Sequence, residues 1–146
     1  MTGRTAGRPP SFDDDDLLRA ATRIIDRDGL EALTLSSAAA ELKVTAMALY
    51  RLVDSKADLL SRVPDHLLNG LSARLGDPDD GVDALRRAAT NVVALLEEHP
   101  NAIPLFARPT VGPNMASAAE VCIAHLVADG VSPDRAGALL LSLIHI

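Results

Sequence analysis

The stretch from Leu33 to Leu60 constrains this chain most. It reads Leu-Thr-Leu-Ser-Ser-Ala-Ala-Ala-Glu-Leu-Lys-Val-Thr-Ala-Met-Ala-Leu-Tyr-Arg-Leu-Val-Asp-Ser-Lys-Ala-Asp-Leu-Leu. Two short helical segments are broken apart at Lys43-Val44, which leaves room only for a tight turn. Helices joined that closely also cross closely, so the first needs small side chains at the contact. Ala39, with Ala38 or Ala40, supplies them. Leu42, Val44, Leu49 and Val53 can close a small core beneath. Thr34 or Ser36 is a candidate cap for the first helix, expected over 37–42. Thr45 is the candidate cap for the second, expected from 46 to about 53. This is the pattern of a helix-turn-helix, whose second helix can lie in a DNA major groove.

The rest of the sequence also reads as helix. Aromatic residues make up only 2% of the chain, so the core is built from Leu, Ala, Val and Ile. That favours closely packed helices over a β-sandwich and gives an all-α fold class. A first helix is expected over 13–28, with Ser11 and Asp14 as a capping box and Asp13–Asp16 in its dipole-favoured first turn. Leu17, Ala21, Ile24 and Ile25 recur at helical spacing, and Gly29 ends the run. Ser55 and Asp58 form another capping box, opening a helix that carries Leu59, Leu60 and Val63 and is interrupted by Pro64. After the turn cluster 76–81, Asp80 can cap a further helix whose apolar face is Leu85, Ala88, Ala89, Val92, Val93 and Leu96, ended by His99-Pro100. A loop is expected over 107–114 and a helix from 118 to about 129. Ser132-Pro133 then starts a last helix, running from 135 onward, that is almost wholly apolar. Such a helix needs cover. A second subunit or further chain would provide it, and the closing Leu-Ser-Leu-Ile-His-Ile leads us to expect a truncated C-terminal part. The expected organisation is an arm at 1–10, a helix-turn-helix domain at 11–63 and an incomplete helical effector-binding and dimerisation domain at 64–146.

Charge permits a nucleic-acid partner without requiring one. The net charge is −6, but the acid is unevenly spread: nine Lys and Arg face ten Asp and Glu in residues 1–62, whereas five face ten in residues 63–146. Four of the first ten acids are the run Asp13–Asp16, outside which the N-terminal part is net positive. The single Cys122 excludes an internal disulfide and a cysteine-rich zinc site, and fits a reducing cytoplasm and a small buried side chain. No apolar run approaches the roughly 20 residues of a membrane span, and residues 1–10 do not read as a signal peptide.

The pieces Ala32-Leu33-Thr34, Ala39-x-x-Leu42-x-Val44, Met47-Ala48-Leu49-Tyr50 and Lys56-x-x-Leu59-Leu60 occur in order over about residues 12–66. Together they closely resemble the DNA-binding domain of tetracycline-repressor-like (TetR family) regulators. His99-Pro100 and Gly112-Pro113-Asn114 resemble, more weakly, pieces of the ligand-binding domain of the subgroup nearest the tetracycline repressor itself. The resemblance implies three helices for DNA, a fourth linking to a helical regulatory domain, and a ligand-responsive repressor that binds a palindromic operator as a homodimer. It implies that Ser36 and Ser37 open the first helix of the motif and bind phosphate. Thr45, Ala46, Met47 and Ala48 would face base edges, Tyr50 and Lys56 would hold phosphates, and Arg51 would reach a phosphate or a guanine. Arg8, in the Gly- and Pro-rich arm, would enter the adjacent minor groove. Two positions depart from the family: Lys43 stands where Gly is usual, and Leu52 where His is frequent. Ala46, Met47 and Ala48 offer few donors, which shifts readout toward thymine methyls and DNA shape.

No other chemistry is organised in the sequence. Consecutive residues such as Asp13–Asp16 spread around a helix instead of converging on a metal, and the four histidines lack ligand spacing. No nucleophile elbow or phosphate-binding Gly-rich loop appears, so neither an enzyme nor a cofactor is expected. The expected partners are double-stranded operator DNA and a small apolar effector, with His99 and Phe106 as candidate pocket residues. The competing reading is a helical protein-interaction module that uses the same geometry without DNA.

Overall fold

A computed structural model describes residues 12–107 and 111–144; over these the protein is helical, with no strand. The chain divides into two compact units, one ending at Leu59 and the next beginning at Leu60.

The first unit opens with α1, Asp14–Asp28. Its cap is Asp13, not the expected Ser11, which lies outside the described residues. Asp16 N–H donates to Asp13 Oδ1 (2.9 Å), and Asp13 N–H donates back to Asp16 Oδ2 (3.2 Å). The acid run thus closes its own capping box, which the neutral Ser-x-x-Asp pattern had obscured. Leu17, Leu18, Ala20, Ala21, Ile24 and Ile25 form a buried stripe. Each large one contributes roughly 1.5–3 kcal/mol. Gly29 ends the helix at φ 86°, and a 3-10 turn, Leu30–Ala32, delivers Leu33 into the core. Helix α2, Leu35–Leu42, starts two residues earlier than expected because Thr34 caps it, and it lays Ala38 and Ala39 against its neighbours. It packs on α1 and on α3, Ala46–Leu49. Helix α3 is one turn long and stops four residues before the expected end. Leu52 and Val53 fold back so that both of their N–H groups donate to Leu49 O (2.8 and 3.1 Å). Leu49 and Val53 are both buried at this turn.

Helix α4, Lys56–Leu67, contains Pro64 within its length. In the second unit follow α5, Leu71–Leu75; α6, Gly81–Glu98; α7, Ile103–Phe106; α8, Pro113–Ala128; and α9, Pro133–Ile144. Helix α8 is the centre of this unit and packs against α5, α6 and α9. Asp80 caps α6 as expected, accepting from Asp83 N–H at 2.7 Å. The face that α6 buries differs from the expectation: Ala84 and Leu95 are buried, whereas Leu85, Ala88, Ala89, Val92 and Leu96 are half-buried and Val93 is exposed. Periodicity marked an apolar side but not its centre, which the crossing with α8 chooses. Gly81 sits at that crossing, where a Cβ would lie 2.8 Å from the Leu126 backbone. Asp129 accepts from Gly81 N–H at 2.7 Å. Helix α5 was not expected. Helix α8 begins at Pro113, five residues before the expected start, so Pro113 and Asn114 belong to its first turn and not to a loop.

Candidate nucleic-acid interface

The α2–turn–α3 motif is fixed by three local devices. Thr34 and Ser37 form a reciprocal cap: Ser37 N–H donates to Thr34 Oγ1, and Thr34 N–H donates to Ser37 Oγ, both at 2.9 Å. Ser37 Oγ also lies 2.9 Å from Ala32 O, to which it can donate, so this hydroxyl is engaged within the cap. Lys43 turns the chain in the left-handed region at φ 57° and ψ 40°. There Val44 N–H donates to Ala39 O at 2.9 Å. Finally, Arg23 and Arg27 of α1 reach Glu41 of α2 at 3.1 and 3.5 Å. The Glu41 carboxyl is held below the usual carboxylate range, chiefly by the Arg23 hydrogen bond and further by the Arg27 charge. These two arginines were not singled out from the sequence, although Arg23 and Arg27 are one helical turn apart and a facing acid on the next helix is the usual partner.

The motif divides the expected contact residues by exposure. Ser36 is exposed on the first turn of α2. Thr45 is exposed at the start of α3 and makes no side-chain capping bond. Met47 is 79% and Tyr50 55% exposed, whereas Ala46 and Ala48 are half-buried and Leu49 is wholly buried. Met47 and Tyr50, three residues apart, share the outward face of α3. Lys56 is half-buried at the first position of α4.

Arg51 is exposed but not unengaged. Its Nη2 donates to Phe12 O at 2.8 Å, and the guanidinium lies 4.3 Å above the Phe12 ring centroid. It therefore anchors the segment that leads into α1, a role the sequence reading missed. The signal was an aromatic residue immediately before the first helix in a chain with two Phe and one Tyr. Arg8 lies outside the described residues.

In the second unit the two candidate effector residues lie on successive helices, His99 at the end of α6 and Phe106 on α7. His99 is half-buried at the C-terminus of α6, with its N–H donating to Leu95 O and its carbonyl accepting from Ala102 N–H. Phe106 is half-buried at the end of α7. Cys122 is buried, and burial pushes its thiol up in pKa. His125 Nδ1 lies 2.9 Å from Val121 O. Among the described residues no three His, Cys, Asp or Glu side chains gather as a metal site, and no helix is long and apolar enough to cross a membrane.

Comparison with known proteins points the same way as this geometry. Residues 17–63 match the family of bacterial regulatory proteins, tetR family. The chain is 36% identical over 118 residues to the HTH-type transcriptional repressor DrrR1 of Streptomyces coeruleorubidus, covering 77% of this chain and 43% of that protein. It is 29% identical over 122 residues to an HTH-type transcriptional regulator of Saccharopolyspora erythraea, covering 83% of this chain and 52% of the relative. The chain thus spans about half the length of these curated relatives. Among solved structures, a possible TetR family transcriptional regulator from Streptomyces coelicolor A3(2) superposes with a TM-score of 0.77 at 28% identity, over 89% of this chain and 65% of that one. A TetR variant from Acinetobacter baumannii AYE in complex with minocycline gives 0.80 at 25% identity, over 92% and 76%. Residues 17–63 thus carry a helix-turn-helix of the tetR family of bacterial regulatory proteins, and the chain is similar through both units to regulators of that family.

Proposed function

We propose that this chain is a transcriptional repressor of the cytoplasm that binds a palindromic operator as a homodimer and releases it when a small molecule binds residues of the second unit. The observation that carries the proposal is the outward face of α3. A one-turn helix, rigidly held by a capped α2 and a left-handed turn, exposes Thr45, Met47 and Tyr50 while burying Leu49. In this reading α3 enters the major groove and two copies occupy successive grooves, ~34–36 Å apart. Ser36, Tyr50 and Lys56 contact phosphates, Thr45 and the α3 side chains Ala46, Met47 and Ala48 face base edges, and Arg8 extends toward the minor groove. The working division of labour is DNA contact by residues 11–63 and regulation by 64–146, with His99 and Phe106 toward the effector. Two comparisons support the regulatory part: one relative is named a repressor, and one structural neighbour holds minocycline. A repressor with those parts works by population shift, the effector favouring a dimer whose recognition helices no longer match the operator spacing.

The test is sedimentation of the purified chain with a duplex spanning its own promoter, at several salt concentrations. We expect a dimer on DNA that dissociates steeply as salt rises. Lys56→Ala should weaken binding to all duplexes alike and reduce the logarithmic salt slope by about one. A folded chain that ignores DNA at every salt concentration defeats the proposal and favours a protein partner for the same motif.

A further inference from the structure

In the first unit, Met47 and Tyr50 are the large apolar side chains that the described fold leaves exposed, and Met47 is the more exposed at 79%. Nothing on its own helix competes with it for reach. Ala46 and Ala48 on either side end in methyl groups and are half-buried, and Leu49 points into the core. None of the four residues of α3 carries a side-chain N–H or O–H. The guanidinium nearest in sequence, that of Arg51, is held by the Phe12 carbonyl and stacked on the Phe12 ring. The bidentate contact to guanine that an arginine could supply is therefore drawn away from the recognition surface. What remains at the centre of α3 is a long, flexible, polarizable thioether side chain between two small ones.

The thymine C5-methyl is the apolar group on the major-groove edges of the base pairs. We infer that Met47 is a specificity-determining residue that packs on a thymine methyl in each operator half-site, with Ala46 and Ala48 allowing α3 to approach closely enough for that contact. The inference rests on the DNA-binding reading above and names what α3 reads: a T·A pair recognised by its methyl group, not a G·C pair recognised by hydrogen bonds.

The experiment selects bound duplexes from a random library with the full chain. Each thymine of the enriched site is then replaced singly by deoxyuridine, which removes only the methyl. Binding is measured for the wild type, Met47→Leu and Met47→Ala. We expect deoxyuridine at one thymine per half-site to weaken the wild type about fourfold, the worth of one buried methyl, and about fifteenfold when both half-sites are changed. Met47→Leu should keep this methyl sensitivity. Met47→Ala should bind thymine and deoxyuridine equally. The inference is overturned if deoxyuridine is tolerated at every position, or if Met47→Ala keeps the full penalty. Failure to enrich any duplex overturns the DNA-binding reading itself, so the two failures are told apart. Met47 is exposed, so its replacement leaves the core of the motif intact, and circular dichroism checks that directly.

Discussion

A single residue shows how strongly the helix-turn-helix is imposed on this chain. Lys43 is the one described non-glycine residue with positive φ. The left-handed region places Cβ close to the following carbonyl, which costs a non-glycine residue roughly 1 kcal/mol. The surrounding structure accepts that strain because the turn must reverse direction between α2 and α3 while Val44 N–H still reaches Ala39 O. Lys43→Gly should therefore stabilise the first unit by up to about 0.5 kcal/mol, after allowing for the greater freedom of glycine in the unfolded chain. The check is a urea titration in which the midpoint rises with an unchanged slope; a lower midpoint would contradict the turn conformation. The position of this turn was readable from sequence because Lys43-Val44 interrupts two helical patterns. The engagement of Arg51 with Phe12 was not, since the two residues are 39 apart and the contact exists only once α1 and the turn after α3 are packed.

Among elements, the junction of α4 with α8 is the most specifically built. The Asp65 carboxylate of α4 accepts from the Asn114 and Met115 backbone N–H groups at the start of α8, at 3.1 and 3.0 Å, and from Asn114 Nδ2 at 3.1 Å. Asn114 Nδ2 also lies 3.0 Å from Asp65 O. A carboxylate from one helix thus serves as the cap of another, where the dipole favours negative charge. Gly112 has no alternative there: a Cβ would fall 2.2 Å from Asp65 Cγ. Asp65→Ala should destabilise the protein by about 2–3 kcal/mol, since it leaves N–H groups of a packed helix end unpaired. Gly112→Ala should also be destabilising because it forces Asp65 aside. Denaturant unfolding monitored by circular dichroism measures both, and an Asp65→Ala variant as stable as the wild type would show that the cap is replaceable by water. The sequence held a clue in Gly112-Pro113-Asn114, since a proline at N1 is a helix start. The expected beginning was later because residues 107–114, with two prolines and a glycine, read as a loop, and the cap of α8 comes from 49 residues away.

At the scale of the whole molecule, the acidic balance of the chain makes pH a probe of which contacts hold each unit. Among the described residues, two carboxylates are held below the ordinary range: Glu41 in the first unit and Asp83 in the second. For Asp83 the largest cause is the hydrogen bond from Arg87, followed by the Asp79 N–H and the charges of Arg87 and Arg86. A depressed folded pKa means stability that is fully present above the unfolded value, ~4, and lost as pH falls through the folded value. Unfolding midpoints should therefore be flat between pH ~7 and ~5 and fall below ~4. Asp83→Asn should be less stable at neutral pH and show a shallower fall; an unchanged profile would remove Asp83 from the acid response. By itself the sequence determined the all-helical class and the helix-turn-helix, because short-range periodicity, caps and breakers act within a few residues, whereas the outward position of Met47 and Tyr50 was implied only by the family resemblance. Only the tertiary structure decided which face of α6 is buried, that Asp65 caps α8, that Arg23 and Arg27 share Glu41, and that Arg51 is held by Phe12. Those choices depend on groups brought together across 14 to 49 residues of chain, where packing and desolvation, not local propensity, select the partner.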